Sequence, residues 1–134
     1  MGRMIVVLFF ITAMMTAAAP SAGAGDTIAP LSTSELKQVI GSGNKNTIVF
    51  FLNPSGGPCR AQDEILQKLG KDRKNNFNIV YVSATQAANQ QAFYDYGVRS
   101  LPTLVLVGKS GKIGRVFPPG IQTYETLAAA LDRM

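Results

Sequence analysis

The 134 residues carry 13 basic and 8 acidic side chains, one cysteine and no histidine. A lone cysteine forbids an intramolecular disulfide, and the missing histidine removes Cys–His nucleophilic catalysis and the commonest transition-metal ligand, so neither a metal nor a cofactor is expected. The basic residues look scattered. Their densest group, Lys68, Lys71, Arg73 and Lys74, has no aromatic residue interleaved and fits a solvated helix end better than a nucleic-acid surface.

Residues 1–24 have the form of a secretory signal peptide. Arg3 is the positive start, Met4 to about Ala19 is an uncharged apolar run, and Ala22-Gly23-Ala24 is the small-x-small pattern of a cleavage site. The run is short for a bilayer span, which needs roughly 20 residues, so an uncleaved anchor is the lesser alternative. Cleavage places the protein in the periplasm or outside the cell. It leaves residues 25–134, enough for one core and too few for two domains.

Ser32-Thr33-Ser34-Glu35 reads as a capping box built on Ser32 and Glu35. It opens a helix through Leu36, Val39 and Ile40 that stops at Gly41. Thr47–Leu52 is a continuous β-branched and aromatic run, as in a strand buried on both faces. The turn formers Asn53-Pro54-Ser55-Gly56-Gly57-Pro58 follow. Ala61, Ile65, Leu66 and Leu69 then mark a helix ending at Gly70, with Pro58 in its first turn. Phe77–Ser83 is the second strand. Thr85 is placed to cap a helix running to about Tyr96 and ended by Gly97. Thr103–Val107 and Lys112–Phe117 are strands joined by a Gly108–Gly111 hairpin turn, and Thr123 caps a last helix through Leu127, Ala128 and Leu131. The order α β α β α β β α indicates an α/β fold with parallel crossovers and an antiparallel final hairpin.

Cys59 follows a strand and a Gly-rich loop, in the first turn of a helix. A helix N-terminus presents unpaired N–H groups and the positive end of the dipole, and both stabilise a thiolate. The same position also suits a small buried hydrophobe, which free cysteines often are.

The segment Phe50–Arg60 resembles the thioredoxin family's strand followed by Trp-Cys-Gly-Pro-Cys-Lys. Tyr96–Val107 resembles the family segment that carries its cis-proline. Together the matches cover about residues 33–133. The resemblance implies the thioredoxin fold, a central mixed four-stranded sheet in a three-layer α/β/α arrangement. It implies a cis Pro102 facing the Cys59 loop, with the Leu101 backbone offered to an extended substrate, and partners that are protein thiols or disulfides or a small thiol. A monomer without a nucleic-acid partner is expected. The departures are as informative. Gly56 stands where the family has its attacking cysteine, and Cys59 matches the resolving one. Ser55 replaces the tryptophan, Phe50 the buried acid and Tyr81 the lysine. Two-cysteine exchange is therefore closed to a single chain. Ser55 has no nearby base to activate it. Asp63 and Glu64 fit a solvated helix face.

Two functions remain. In one, Cys59 alone forms mixed disulfides, with the motif loop Ser55, Gly56, Gly57 and Pro58 shaping its surroundings and Gly56 leaving the sulfur less covered. In the other, the fold is a redox-inactive module that holds extended polypeptide at the Leu101–Pro102 groove. An exposed sulfur favours the first and a sealed one the second.

Overall fold

The structure is a computed structural model that describes residues 27–134. The expected leader lies outside the described residues. The elements are α1 (Ser34–Gly41), β1 (Thr47–Leu52), α2 (Gly57–Asp72), β2 (Asn78–Ser83), a 3-10 turn (Ala87–Asn89), α3 (Gln90–Asp95), β3 (Thr103–Val107), β4 (Ile113–Val116) and α4 (Tyr124–Asp132). The four strands form one sheet in the order β2-β1-β3-β4. β1 pairs parallel with β2 and antiparallel with β3, and β3 pairs antiparallel with β4.

Period-two alternation along β1 builds the layers, because successive strand side chains point to opposite faces. Ile48 and Phe50 join Leu104 and Leu106 under α2 and α4, against Leu66, Leu69, Leu127 and Leu131. Val49 and Phe51 join Val80, Val82, Val105 and Val107 on the other face, against Leu36, Ile40 and Ala92. All five residues from Thr47 to Phe51 are buried, which is why Ile48 to Phe51 are apolar at every position rather than at alternate ones.

Three local readings change. The cap of α1 is Thr33, whose extended backbone lets its Oγ1 accept from the Leu36 N–H at 3.1 Å. Ser32 instead donates its hydroxyl to Asp95, tying the entry of α1 to α3. α2 passes Gly70 and ends at Asp72. The reversal is made by Lys74 and Asn75 at φ of 53° and 55°, with the Asn75 N–H bonded to Gly70 O. Thr85 caps no helix: its Oγ1 pairs with the Ser83 hydroxyl, and the chain first makes a 3-10 turn.

Tyr96 carries a pH signature of this packing. Burial, and then the Asp95 charge, push its phenol up to about 12. The hydroxyl donates to Pro30 O at 2.8 Å. A folded-state value above the unfolded one, near 10, means the contribution is complete below about pH 10 and is lost as pH rises towards 12. Alkaline unfolding is expected in that window. In a urea-midpoint series across it, the slope should be shallower for Tyr96→Phe than for the parent.

Candidate functional site

The Cys59 loop leaves β1 at its C-terminal end. Phe51 of β1 is paired with Thr103, so Pro102 arrives at the same end of the sheet. The Leu101–Pro102 peptide is cis. Leu101 packs against the hydrophobic cluster that contains Cys59. The sequence-selected residues Cys59, Gly56, Leu101 and Pro102 are thus gathered at one end of the sheet.

Asn53 organises the loop. Its carbonyl accepts from the Gly56 N–H at 2.9 Å, and its side-chain Oδ1 accepts from the Ser55 N–H at 3.0 Å. Ser55 is exposed and serves the loop through its backbone. Gly56 is the extended residue preceding α2, and Pro58 occupies the first turn, where no N–H is needed. The Asn53 N–H also points at the Cys59 sulfur, 3.4 Å away.

Cys59 is 4% exposed, so the sulfur is largely covered. A Cβ at Gly56 would stand 3.6 Å from Cys59 Sγ and 3.3 Å from Asn53 O. A cleft of about 250 Å³ opens beside the sulfur, lined by Leu52, Pro54, Cys59, Arg60, Asp63 and Tyr81, among others.

Asp63 is half-buried at the edge of this cleft, while Glu64 is exposed on the solvated face. Asp63 lies four residues after Cys59, which places the two on one side of α2. It accepts from the Tyr81 hydroxyl at 2.7 Å, and Gln67 donates to the same hydroxyl. Partial burial, followed by the hydrogen bond and charge of Asp63, raises the Tyr81 phenol well above its ordinary value, so Tyr81 stays neutral through the physiological range. Tyr81 is paired in register with Phe50, their rings 5.7 Å apart. The two positions that depart from the thioredoxin acid and lysine are thus in contact and form an aromatic pair. The polar groups of the cleft come from α2 and the outer end of Tyr81.

Gln62 is a second residue that the sequence reading passed over. It is fully buried, accepts from the Gln122 N–H at 2.6 Å and donates to Gln122 O at 3.2 Å. Two residues before Gln122, the Gly120 N–H donates to Pro102 O at 3.0 Å. These bonds link the Cys59 helix, the loop before α4 and the Pro102 peptide. Gln62→Leu is expected to cost about 1–3 kcal/mol, because it leaves both backbone groups of Gln122 without partners. A fall in the urea midpoint at unchanged slope checks this. A midpoint equal to that of the parent would mean the two bonds carry no net stability.

A mixed four-stranded sheet with helices on both faces, a motif loop opening α2 and a cis-proline before β3 together fix the architecture. The sequence model described as Thioredoxin matches residues 27–133. The chain belongs to the thioredoxin family. The relatives agree with this. "Thioredoxin 1" of Nostoc sp. is 27% identical over 105 residues, which is 78% of this chain and 94% of that protein. The X-ray structure of Fasciola hepatica thioredoxin superimposes at a TM-score of 0.60 with 26% identity, covering 77% of this chain and 95% of that one. Mitochondrial thioredoxin 3 from Saccharomyces cerevisiae gives a TM-score of 0.63 at 21% identity, with coverage of 80% and 95%. Thioredoxin-family membership supports a general role in thiol–disulfide redox chemistry with protein thiol and disulfide partners.

Proposed function

We propose that this thioredoxin-family protein takes part in thiol–disulfide exchange through Cys59 as its one reacting sulfur. The Cys59 thiolate attacks a disulfide of a partner protein or a small molecule. One partner sulfur leaves as a thiolate, and a mixed disulfide to Cys59 remains. An external thiolate then attacks that bond and displaces Cys59 again as a thiolate. The observation that carries this reading is the missing side chain at Gly56, where a Cβ would stand 3.6 Å from Cys59 Sγ, together with the cleft of about 250 Å³ that Cys59 lines. The Asn53 N–H lies 3.4 Å from the sulfur at the start of α2, while Phe50 and Tyr81 stand where the family has its acid and lysine. Leu101 and the cis Pro102 would hold the extended partner strand, as a sheet edge does.

A second reading is a redox-inactive module that holds extended polypeptide at the same groove. The 4% exposure of Cys59 and the aromatic Phe50–Tyr81 pair favour it. Cys59→Ser separates the two. Under the exchange reading, partner trapping in oxidising extracts and labelling by a thiol reagent are both lost. If the variant retains the same bound partners and the parent sulfur resists labelling, the binding-module reading replaces exchange.

We also propose that residues 1–24 are removed on export and that residues 25–134 act in the periplasm or outside the cell. The support is the Arg3, Met4–Ala19 and Ala22-Gly23-Ala24 pattern. N-terminal sequencing of the expressed protein tests this, with Gly25 expected as the first residue.

A further inference from the structure

Side-chain charge is segregated along the sheet. Thr47, at the start of β1, pairs with Asn78 at the start of β2 and with Val107 at the end of β3. The turns before β1 and β2 and the β3–β4 hairpin therefore share the end opposite the Cys59 loop. The last residues of α4 arrive there too, with the Met134 methyl against Gly108 and Gly114. This end carries Lys45, Lys71, Lys74, Lys109, Lys112 and Arg133, all exposed. Its two carboxylates are engaged, Asp132 by Arg73 at 2.8 Å and Asp72 by the Tyr124 hydroxyl at 2.7 Å. Elsewhere in residues 27–134, five cations face five carboxylates. The positive excess that looks scattered along the sequence is collected at one end of the fold.

Apolar groups stand among these cations. Ile28 is 72% exposed and Met134 46%. Ile28 is bridged to Lys112, and with Leu31, Ile40 and Lys109 it lines a cleft of about 230 Å³. The described chain also enters the fold at this end. None of the described helices is long and apolar enough to cross a bilayer.

We propose that this end docks on the surface of an anionic lipid bilayer and leaves the Cys59–Pro102 end facing solution. Lysine ammonium groups are hydrated point charges suited to the diffuse field of lipid head groups. Exposed apolar side chains flanked by lysines suit the boundary between head groups and acyl chains. A single-stranded nucleic acid would call for aromatic stacking platforms. The exposed aromatic residues, Tyr81 and Tyr94, lie in the middle of β2 and in α3, away from these turns. The proposal does not depend on the redox reading.

The test is flotation of the exported form, residues 25–134, with vesicles of phosphatidylcholine alone and with vesicles containing one part phosphatidylglycerol to three of phosphatidylcholine. Binding to the anionic vesicles should be tighter and should weaken as salt is raised. Each cation near such a surface is worth about fivefold in affinity. Lys109→Glu with Lys112→Glu should therefore abolish the preference for anionic vesicles. Arg99→Glu with Arg115→Glu makes the same change in net charge away from this end and should keep the preference. All six cations are exposed, and far-UV circular dichroism checks that both double variants are folded. Lys45→Glu with Lys74→Glu repeats the test on different turns. Equal binding to the two vesicle types overturns the proposal, as does a preference that survives both lysine double variants. Tighter, Lys109-dependent binding to a single-stranded DNA oligonucleotide than to anionic vesicles also overturns it and assigns the surface to nucleic acid.

Discussion

Gly56→Cys is expected to close a disulfide with Cys59 on mild oxidation, taking the protein from two titratable thiols to none. The Cβ position at Gly56 lies 3.6 Å from Cys59 Sγ, and Pro58 holds the intervening turn at the start of α2. Small adjustment brings the pair into the range of real disulfides, whose Cβ atoms stand about 3.5–4.5 Å apart. The one tight contact is Asn53 O at 3.3 Å, in an exposed loop that can give by a few tenths of an ångström. Closing so short a loop stabilises the oxidised form by about 2 kcal/mol on the chain-entropy account. Thiol titration and a reduced-versus-oxidised urea midpoint read both effects. Two thiols persisting after oxidation would mean that the loop has lost dithiol geometry altogether, not merely one side chain.

The second large effect concerns Phe50. Restoring an acid there, Phe50→Asp, is expected to destabilise the protein by more than about 4 kcal/mol at neutral pH. The change removes a fully buried ring and places a carboxylate among the apolar side chains of Ile48, Leu66, Leu104 and Leu106. Burial raises that carboxyl's folded-state value above its unfolded one, near 3.9. The penalty is therefore smallest below about pH 4 and grows as pH rises through the folded value. Adding Tyr81→Lys puts a cation at the register partner and should return at least about 1 kcal/mol as a coupling term. Urea midpoints of the four proteins at acid and neutral pH complete the cycle. A penalty that does not change with pH would show that the aspartate reaches water, and that Phe50 seals the site less tightly than its burial indicates.

Much of the fold can be read from the chain because the relevant signals are local. Ile48–Phe51 is buried on both faces and apolar at every position, Pro58 and Gly56 mark the start of α2, and Thr123 caps α4 through its own hydroxyl. Where two local signals compete, the tertiary partner decides. Ser32 and Thr33 both qualify as caps, and only the contact with Asp95, 63 residues away, diverts Ser32. Gly70 reads as a stop, but α2 runs on to Asp72, and the Gly70 carbonyl accepts from the Asn75 N–H at 2.8 Å in the reversal that follows.

The site is less legible for the same reason. Asp63 looks solvated on a helical projection, and the partner that defines it, Tyr81, is on another element 18 residues on. Gln62 did leave a trace. It falls on the stripe that Leu66 and Leu69 define, and a polar residue on a buried stripe calls for a partner. The collection of lysines at one end has no linear signature at all, because it depends on three turns and a helix end meeting across the sheet.

The bonds from Gln62 to Gln122 and from Gly120 to Pro102 have a consequence for binding. They fasten together three stretches of chain that are distant in sequence, so the groove is already assembled before anything enters it. An arriving peptide then brings nearly all of the conformational entropy that must be lost, and stiff or preformed extended segments should be retained longer than floppy ones of equal contact area.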